Sequence, residues 1–292
     1  MRIRVGVLIV AFAFVAAGCG FQTITPPGAA PLRYRDAVFS AATTTSDISY
    51  GSAADQTGTT VDLKLDMVTP TGDTNTSRPA IVWVHGGSFC CGDKTSGELL
   101  VEMATFAKEG YVNVSINYRL LPAGCSASGG GQQACVQEII DAQHDAQAAV
   151  RFLRKNAATY KVDPNRIAIA GTSAGAITAL DVGANSEDPG TSGNPGFSSK
   201  VGAAVALSGA KLVGNPQTTG DAPSLMFHGT ADPLVPYQWA LNTYNEAIAA
   251  GLVSYLTTYP GEGHVPFNHY EQILLQTSNF LYWTLDLAHA SV

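Results

Sequence analysis

The sequence predicts an α/β fold: a mostly parallel central sheet with helices on both faces. Two observations carry this. Short, continuously apolar runs (Ala80 to Val84, Ile167 to Ala170 and Val201 to Leu207) have the form of strands buried on both faces. Between them lie stretches whose apolar residues recur at helical spacing, and strands that alternate with helices imply a parallel sheet wrapped on both sides. The 292 residues, 46% of them hydrophobic, suffice for one large core, and no internal repeat or heptad pattern divides them. A net charge of −7 with only 13% charged residues argues against a nucleic-acid partner.

Residues 1–18 read as a secretory signal rather than part of the fold. Arg2 and Arg4 form a positive start, and Val5 to Ala17 is an apolar run too short to span a membrane. The run ends in Ala16-Ala17-Gly18-Cys19, which resembles a bacterial lipobox in which Cys19 is lipidated and becomes the mature N-terminus. The expectation is an exported cell-envelope lipoprotein whose membrane contact is a lipid anchor at Cys19. Ordinary cleavage and free secretion is the alternative. Residues 19–33, rich in Pro and Gly, then read as a tether, and residues 34–292 as the folded domain.

Within that domain, Val61, Leu63, Leu65 and Met67 alternate with Asp62, Lys64 and Asp66, the period of a half-buried strand. With Thr43 to Tyr50 it predicts an antiparallel hairpin. The buried strand Ala80 to Val84 follows and ends in His85-Gly86-Gly87-Ser88-Phe89. Met103 to Gly110 predicts a helix and Tyr111 to Ile116 the next strand. From Val136 to Tyr160, Ile139, Ala142, Ala146, Ala149, Val150 and Leu153 form a helical stripe, with Asp141, Asp145, Arg151 and Arg154 off that face.

The organising stretch is Asn165 to Leu180. An apolar strand turns sharply at Gly171-Thr172-Ser173-Ala174-Gly175 and continues in helix-tolerant residues. This is the strand–turn–helix context in which G-x-S-x-G presents a nucleophile, with the helix N-terminus favouring developing negative charge. Ser208-Gly209 ends the next strand without that frame and is a decoy. Ser224 to His228 predicts a strand followed by Gly229-Thr230-Ala231-Asp232-Pro233. Tyr237 to Ala250 predicts a helix, Val253 to Tyr259 the last strand, Gly261-Glu262-Gly263-His264 a loop, and Phe267 to Ala288 a closing helix. Residues 187–199 and 210–222 are connections with no helical pattern, so no large lid is expected.

An H-G-G loop after a central strand with a G-x-S-x-G elbow downstream resembles the α/β-hydrolase superfamily, in particular its carboxylesterase- and lipase-like serine esterases. The resemblance implies Ser173 as nucleophile, Asp232 as the acid that orients the base, and His264 as the base, in the superfamily's chain order. It implies an oxyanion hole from the N–H groups of Gly86, Gly87 and Ala174, with His85 bracing the loop. Ser88 departs from an H-G-G-G form, and Thr172-Ser173-Ala174 departs from D-S-A. The implied activity is hydrolysis of short-chain acyl esters through an acyl-enzyme. The substrate would be a small molecule or a polymer-end ester, with no cofactor and no metal. A prolyl-oligopeptidase-like peptidase, a polyester, feruloyl or acetyl-xylan esterase, and a non-catalytic scaffold are the alternatives.

Apart from Cys19, the cysteines are Cys90, Cys91, Cys125 and Cys135. In an exported chain an even number suggests bridges. Cys125–Cys135 is the first choice, because the Gly/Ser-rich loop between them needs support. Cys90 and Cys91 are alternative partners, and a bond between these two neighbours is disfavoured as strained.

Overall fold

The structure is a computed structural model that describes residues 20–26, 28–121, 125 and 131–290. The signal segment 1–18 and the lipidation candidate Cys19 lie outside the described residues. Eight strands form one sheet: β1 (Ala42–Ala54), β2 (Thr60–Pro70), β3 (Arg78–Val84), β4 (Val112–Ile116), β5 (Val162–Thr172), β6 (Ala203–Leu207), β7 (Ser224–Gly229) and β8 (Ser254–Tyr259), in the order 1-2-4-3-5-6-7-8. The β1–β2 and β2–β4 pairs are antiparallel and the rest parallel. This is the mostly parallel sheet the sequence implied. The continuous apolar runs are its centre, and every residue of β3, β4, β6 and β7 is buried.

The period-two geometry of a strand sends neighbouring side chains to opposite faces. On β3, Ala80, Val82 and Val84 pack with α2 (Gly131–Lys155), α4 (Ala174–Ala184) and α5 (Tyr237–Ala249). Ile81 and Trp83 pack against α1 (Gly97–Glu109) and α6 (Tyr270–Thr284) on the other side. A four-residue helix, α3 (Ala157–Tyr160), links α2 to β5. Helix α1 begins six residues before the expected Met103, at Gly97, because Leu99 supplies the first apolar contact of its buried stripe.

Two expectations need correction. The polar side of α2 is not solvated: Asp141, Asp145 and Arg151 are buried. The Gly/Pro/Ser connection 185–200 folds back over that side, and its backbone carbonyls need donors there. Arg151 Nε donates to Gly193 O at 2.9 Å and Gln147 Nε2 to Asn185 O at 2.8 Å. The second correction concerns the tether. Phe21 and Pro26 are buried, with Phe21 packed edge-on against Tyr255 and Phe280 at centroid distances of 5.1 and 5.9 Å. One aromatic side chain that finds a hydrophobic seat outweighs the flexibility that Pro/Gly composition implies.

Two carboxyl groups on α1 form no ion pair among the described residues. Glu102 and Glu109 are buried, and burial pushes each from an ordinary 4.5 up to about 8. Glu109 Oε1 accepts a hydrogen bond from Ser278 Oγ at 2.8 Å, which offsets only part of the cost. Between about 4.5 and 8 the folded protein holds protons that the unfolded chain has lost, so stability falls as pH rises through that window and levels off above it. The double variant Glu102→Gln/Glu109→Gln removes this slope. Its thermal midpoint is expected to fall less than the wild type's between pH 5 and pH 8. Parallel melting curves across that range are the result that would contradict it.

Candidate active site

Strand β5 delivers Ser173 and α4 departs from it. Ser173 itself takes φ 56° and ψ −118°, an uncommon conformation for a residue with a side chain, held by its N–H to Leu207 O at 2.9 Å. The flanking glycines are steric necessities. A Cβ at Gly175 would fall on the Val84 carbonyl, and one at Gly171 on the backbone of Gly175. The H-G-G loop lies directly against the serine, since a Cβ on Gly86 would stand 3.2 Å from Ser173 Cβ and 3.0 Å from Thr172 O. Ala174 opens α4, and a helix leaves its first N–H groups without partners of its own.

The loop after β7 carries Asp232, whose side chain is fully buried. Its Oδ1 accepts the N–H groups of Leu234 at 2.9 Å and Val235 at 3.0 Å, which fixes the carboxylate plane. Its Oδ2 lies 2.8 Å from His264 Nδ1. His264, on the loop after β8, places Nε2 2.8 Å from Ser173 Oγ. A carboxylate accepts only, so Nδ1 bears the proton and Nε2 is left to accept from the serine hydroxyl. The three residues that the sequence placed on separate loops therefore form one hydrogen-bonded chain at the carboxyl ends of the parallel strands.

His85 is buried, with its ring stacked on Tyr118 at 4.3 Å and its Nδ1 2.7 Å from Gly86 O. Burial lowers its pKa, so it stays neutral and donates from Nδ1 to that carbonyl. Tyr118 Oη donates to His85 O at 3.1 Å. Further along, Ser88 and Phe89 adopt φ 53° and 61°, and the N–H groups of Cys90 and Cys91 both donate to Gly87 O. The structure pairs Cys125 with Cys135, and it also pairs Cys90 with Cys91, the bond disfavoured on strain. The tight turn that wraps Gly87 O brings these two sulfurs together.

Several residues at the site had no sequence motif. His228 is fully buried, with Nε2 2.8 Å from Val235 O and 3.2 Å from Asp232 Oδ2. A carbonyl accepts only, so this nitrogen carries a proton that faces the carboxylate. Burial lowers its pKa and keeps it neutral. Ser208, the decoy, is buried and accepts the N–H of Val265 at 3.0 Å, holding the loop that bears His264. A cavity of about 200 Å³ opens beside Ser173, lined by Ile177, Leu212, Leu234, Val235 and Trp239 and by the Cys125–Cys135 bridge. These residues come from four separate segments, so no local pattern announces them.

The family model BD-FAE matches residues 65–213, just over half of the chain. The chain belongs to the BD-FAE family. A second model, described as TAP-like protein, matches residues 198–276, so the two together run from β2 into α6. Among curated proteins, this BD-FAE member is 36% identical over 117 residues to phenmedipham hydrolase of Pseudarthrobacter oxydans, covering 40% of this chain and 22% of that one. It is 34% identical over 128 residues to arylacetamide deacetylase-like 2 of Homo sapiens, covering 42% and 28%. The chain thus spans 19% to 28% of the length of these curated relatives. Among solved structures, native esterase 2 of Thermogutta terrifontis superposes with a TM-score of 0.66 at 23% identity, covering 87% of this chain and 95% of that one. A truncated carbohydrate esterase from gut microbiota gives 0.63 at 21%, covering 86% and 98%. These likenesses establish the α/β-hydrolase fold.

Proposed function

We propose that this protein is a serine hydrolase of carboxylic esters. The observation that carries the reading is the chain Ser173 Oγ–His264–Asp232, two bonds of 2.8 Å each, beneath a glycine loop. Ser173 Oγ attacks the ester carbonyl carbon while His264 Nε2 takes its proton. Asp232 holds the imidazole in the required tautomer and stabilises the imidazolium. The N–H groups of Gly86 or Gly87 and of Ala174 receive the oxyanion, each worth about 3–4 kcal/mol in comparable sites. Collapse of the tetrahedral intermediate expels the alcohol, which takes the proton from His264. Water, activated by the same imidazole, then attacks the acyl-enzyme, and the carboxylic acid leaves. The relatives named as hydrolases and esterases support this reaction class.

The substrates are short-chain acyl esters of small molecules or polymer ends. The cavity beside Ser173 is small and apolar, and neither residues 185–202 nor 208–223 form a helix that would close over it. Each methylene buried is worth about 0.8 kcal/mol, and methylenes beyond the cavity add nothing. The specificity constant is therefore expected to peak at short acyl chains across p-nitrophenyl acetate to palmitate, with no rate jump on emulsified triglyceride. A maximum at palmitate with interfacial activation would overturn this reading. The compartment follows from the signal segment and the Cys19 motif: an exported lipoprotein of the cell envelope.

A further inference from the structure

The chain that leads out to Cys19 is seated on the fold, and its seat is an apolar flank. Phe21, two residues from Cys19, is 6% exposed against Tyr255 and Phe280, and a Cβ on Gly20 would stand 3.7 Å from Thr257 Oγ1. No slack remains between residue 20 and the body of the protein. At about 3.5 Å per residue, a lipid on Cys19 would hold this flank within a few ångströms of the bilayer surface. The flank is suited to that contact. Ile24, Val253 and Trp283 are 57%, 54% and 40% exposed, and with Pro223, Tyr255 and Phe280 they line a shallow apolar groove. The Trp283 indole N–H points to Ile24 O at 3.4 Å. Gly20 to Leu32 contains no charged residue, and α6 carries only Glu271, in its first turn. In a chain of net charge −7 this is a surface that an anionic bilayer does not repel.

We infer that this flank, formed by residues 20–24, the start of β8 and the end of α6, is a membrane-contact surface that lays the enzyme on the bilayer with its catalytic cavity facing away. The inference rests on Cys19 as the lipidated residue. The occupant is the headgroup–acyl boundary, where an exposed tryptophan beside aliphatic side chains is favoured. The orientation follows from the topology. Pro223 and Val253 immediately precede β7 and β8, so the groove lies at the amino ends of the strands, on the α6 side of the sheet. Asp232 and His264 follow the carboxyl ends of the same strands, and the cavity is walled by α2, α4 and α5 from the opposite side. Six-residue strands separate the groove from the carboxyl ends by about 20 Å, and Gly20, against Thr257 on β8, lies between the two. Such an enzyme meets substrate arriving from the aqueous side rather than lipid from its own membrane.

The test couples a maleimide phospholipid to Cys19 of the 19–292 chain, whose other four cysteines are bridged, and inserts it in phosphatidylglycerol/phosphatidylethanolamine vesicles containing a brominated lipid. Trp83 is buried in the sheet and common to all variants. Trp239→Phe, which leaves Trp283 as the exposed reporter, is expected to be quenched severalfold more than Trp283→Phe, which leaves Trp239 at the cavity mouth. Ile24→Asp/Val253→Asp is expected to lower the Trp283 quenching severalfold while leaving kcat/KM on soluble esters unchanged. Greater quenching in Trp283→Phe means that the mouth faces the bilayer, and no quenching in either means that the body stands off it. Both overturn the proposal. Because coupling is chemical, these outcomes are independent of acylation in the cell. That reading is tested separately by whether Cys19→Ser moves the protein from the membrane fraction to the soluble export fraction.

Discussion

Ser173→Ala is expected to lower kcat for p-nitrophenyl butyrate by at least about 10⁴-fold while leaving the thermal midpoint nearly unchanged. The side chain lost is a single hydroxyl whose partner is His264 Nε2 at 2.8 Å, and the backbone bond that holds the elbow, Ser173 N–H to Leu207 O, survives the change. The nearby Ser208 cannot substitute. It is buried with its Oγ committed to the Val265 N–H. What remains after the change is binding and the oxyanion donors, which act without a nucleophile on the enzyme. A variant that keeps its fold and more than about a hundredth of wild-type kcat would remove Ser173 from the mechanism.

Asp145→Ala is expected to cost about 3–5 kcal/mol of stability, the largest single loss away from the hydrophobic core. Arg119 is 7% exposed, and Asp145 accepts from its backbone N–H, its Nε and its Nη2 at 2.8–3.1 Å. Ser192 Oγ adds a 2.6 Å bond to the same carboxylate. Removing the carboxylate leaves a buried guanidinium with only the more distant Asp141 carboxylate, at 3.4 Å from Nη1, as counter-charge, beside the carbonyl acceptors Ala54 O and Asp141 O. The loss should reach the site as well. Arg119 pins the segment after β4, where Leu121 N–H donates to Phe89 O at 2.8 Å and so supports the glycine loop. Urea unfolding measures the cost. Replacing both partners by apolar residues, Arg119→Met/Asp145→Leu, is expected to recover much of it, because the penalty belongs to the buried charge that has lost its main partner. A single variant within about 1 kcal/mol of wild type would show that the pair is solvated after all.

Much of this was legible from the sequence, for identifiable reasons. The strand runs are continuously apolar because parallel strands are covered on both faces, and that pattern survives without any alignment. Gly171, Gly175 and Gly86 stand where the backbone of a neighbouring loop or strand leaves no room for a side chain, so composition marks a three-dimensional crowding. Ser173, Asp232 and His264 each follow a strand, and the fold gathers strand ends on one edge. The failures are as instructive. Asp145 and Arg151 look like a solvated helix face until the loop 185–200 covers them, and a helical wheel holds no information about what lies above it. Phe21 sits in a stretch whose composition reads as linker, yet its partners Tyr255 and Phe280 are more than 230 residues away. The cavity residues Ile177, Leu212, Leu234 and Trp239 are ordinary apolar residues in sequence and become a site only by convergence.

The account rests on one activated serine, and a fluorophosphonate probe reads that directly. The probe's phosphorus is attacked by a serine only where a base takes the hydroxyl proton and donors hold the developing oxyanion. The native protein is expected to gain a single adduct, located by peptide mass spectrometry on Ser173, and to gain none after Ser173→Ala. His264→Ala is expected to slow labelling by at least about 10³-fold. An unlabelled wild type, or an adduct on Ser208, Ser88 or any serine other than Ser173, would contradict the account.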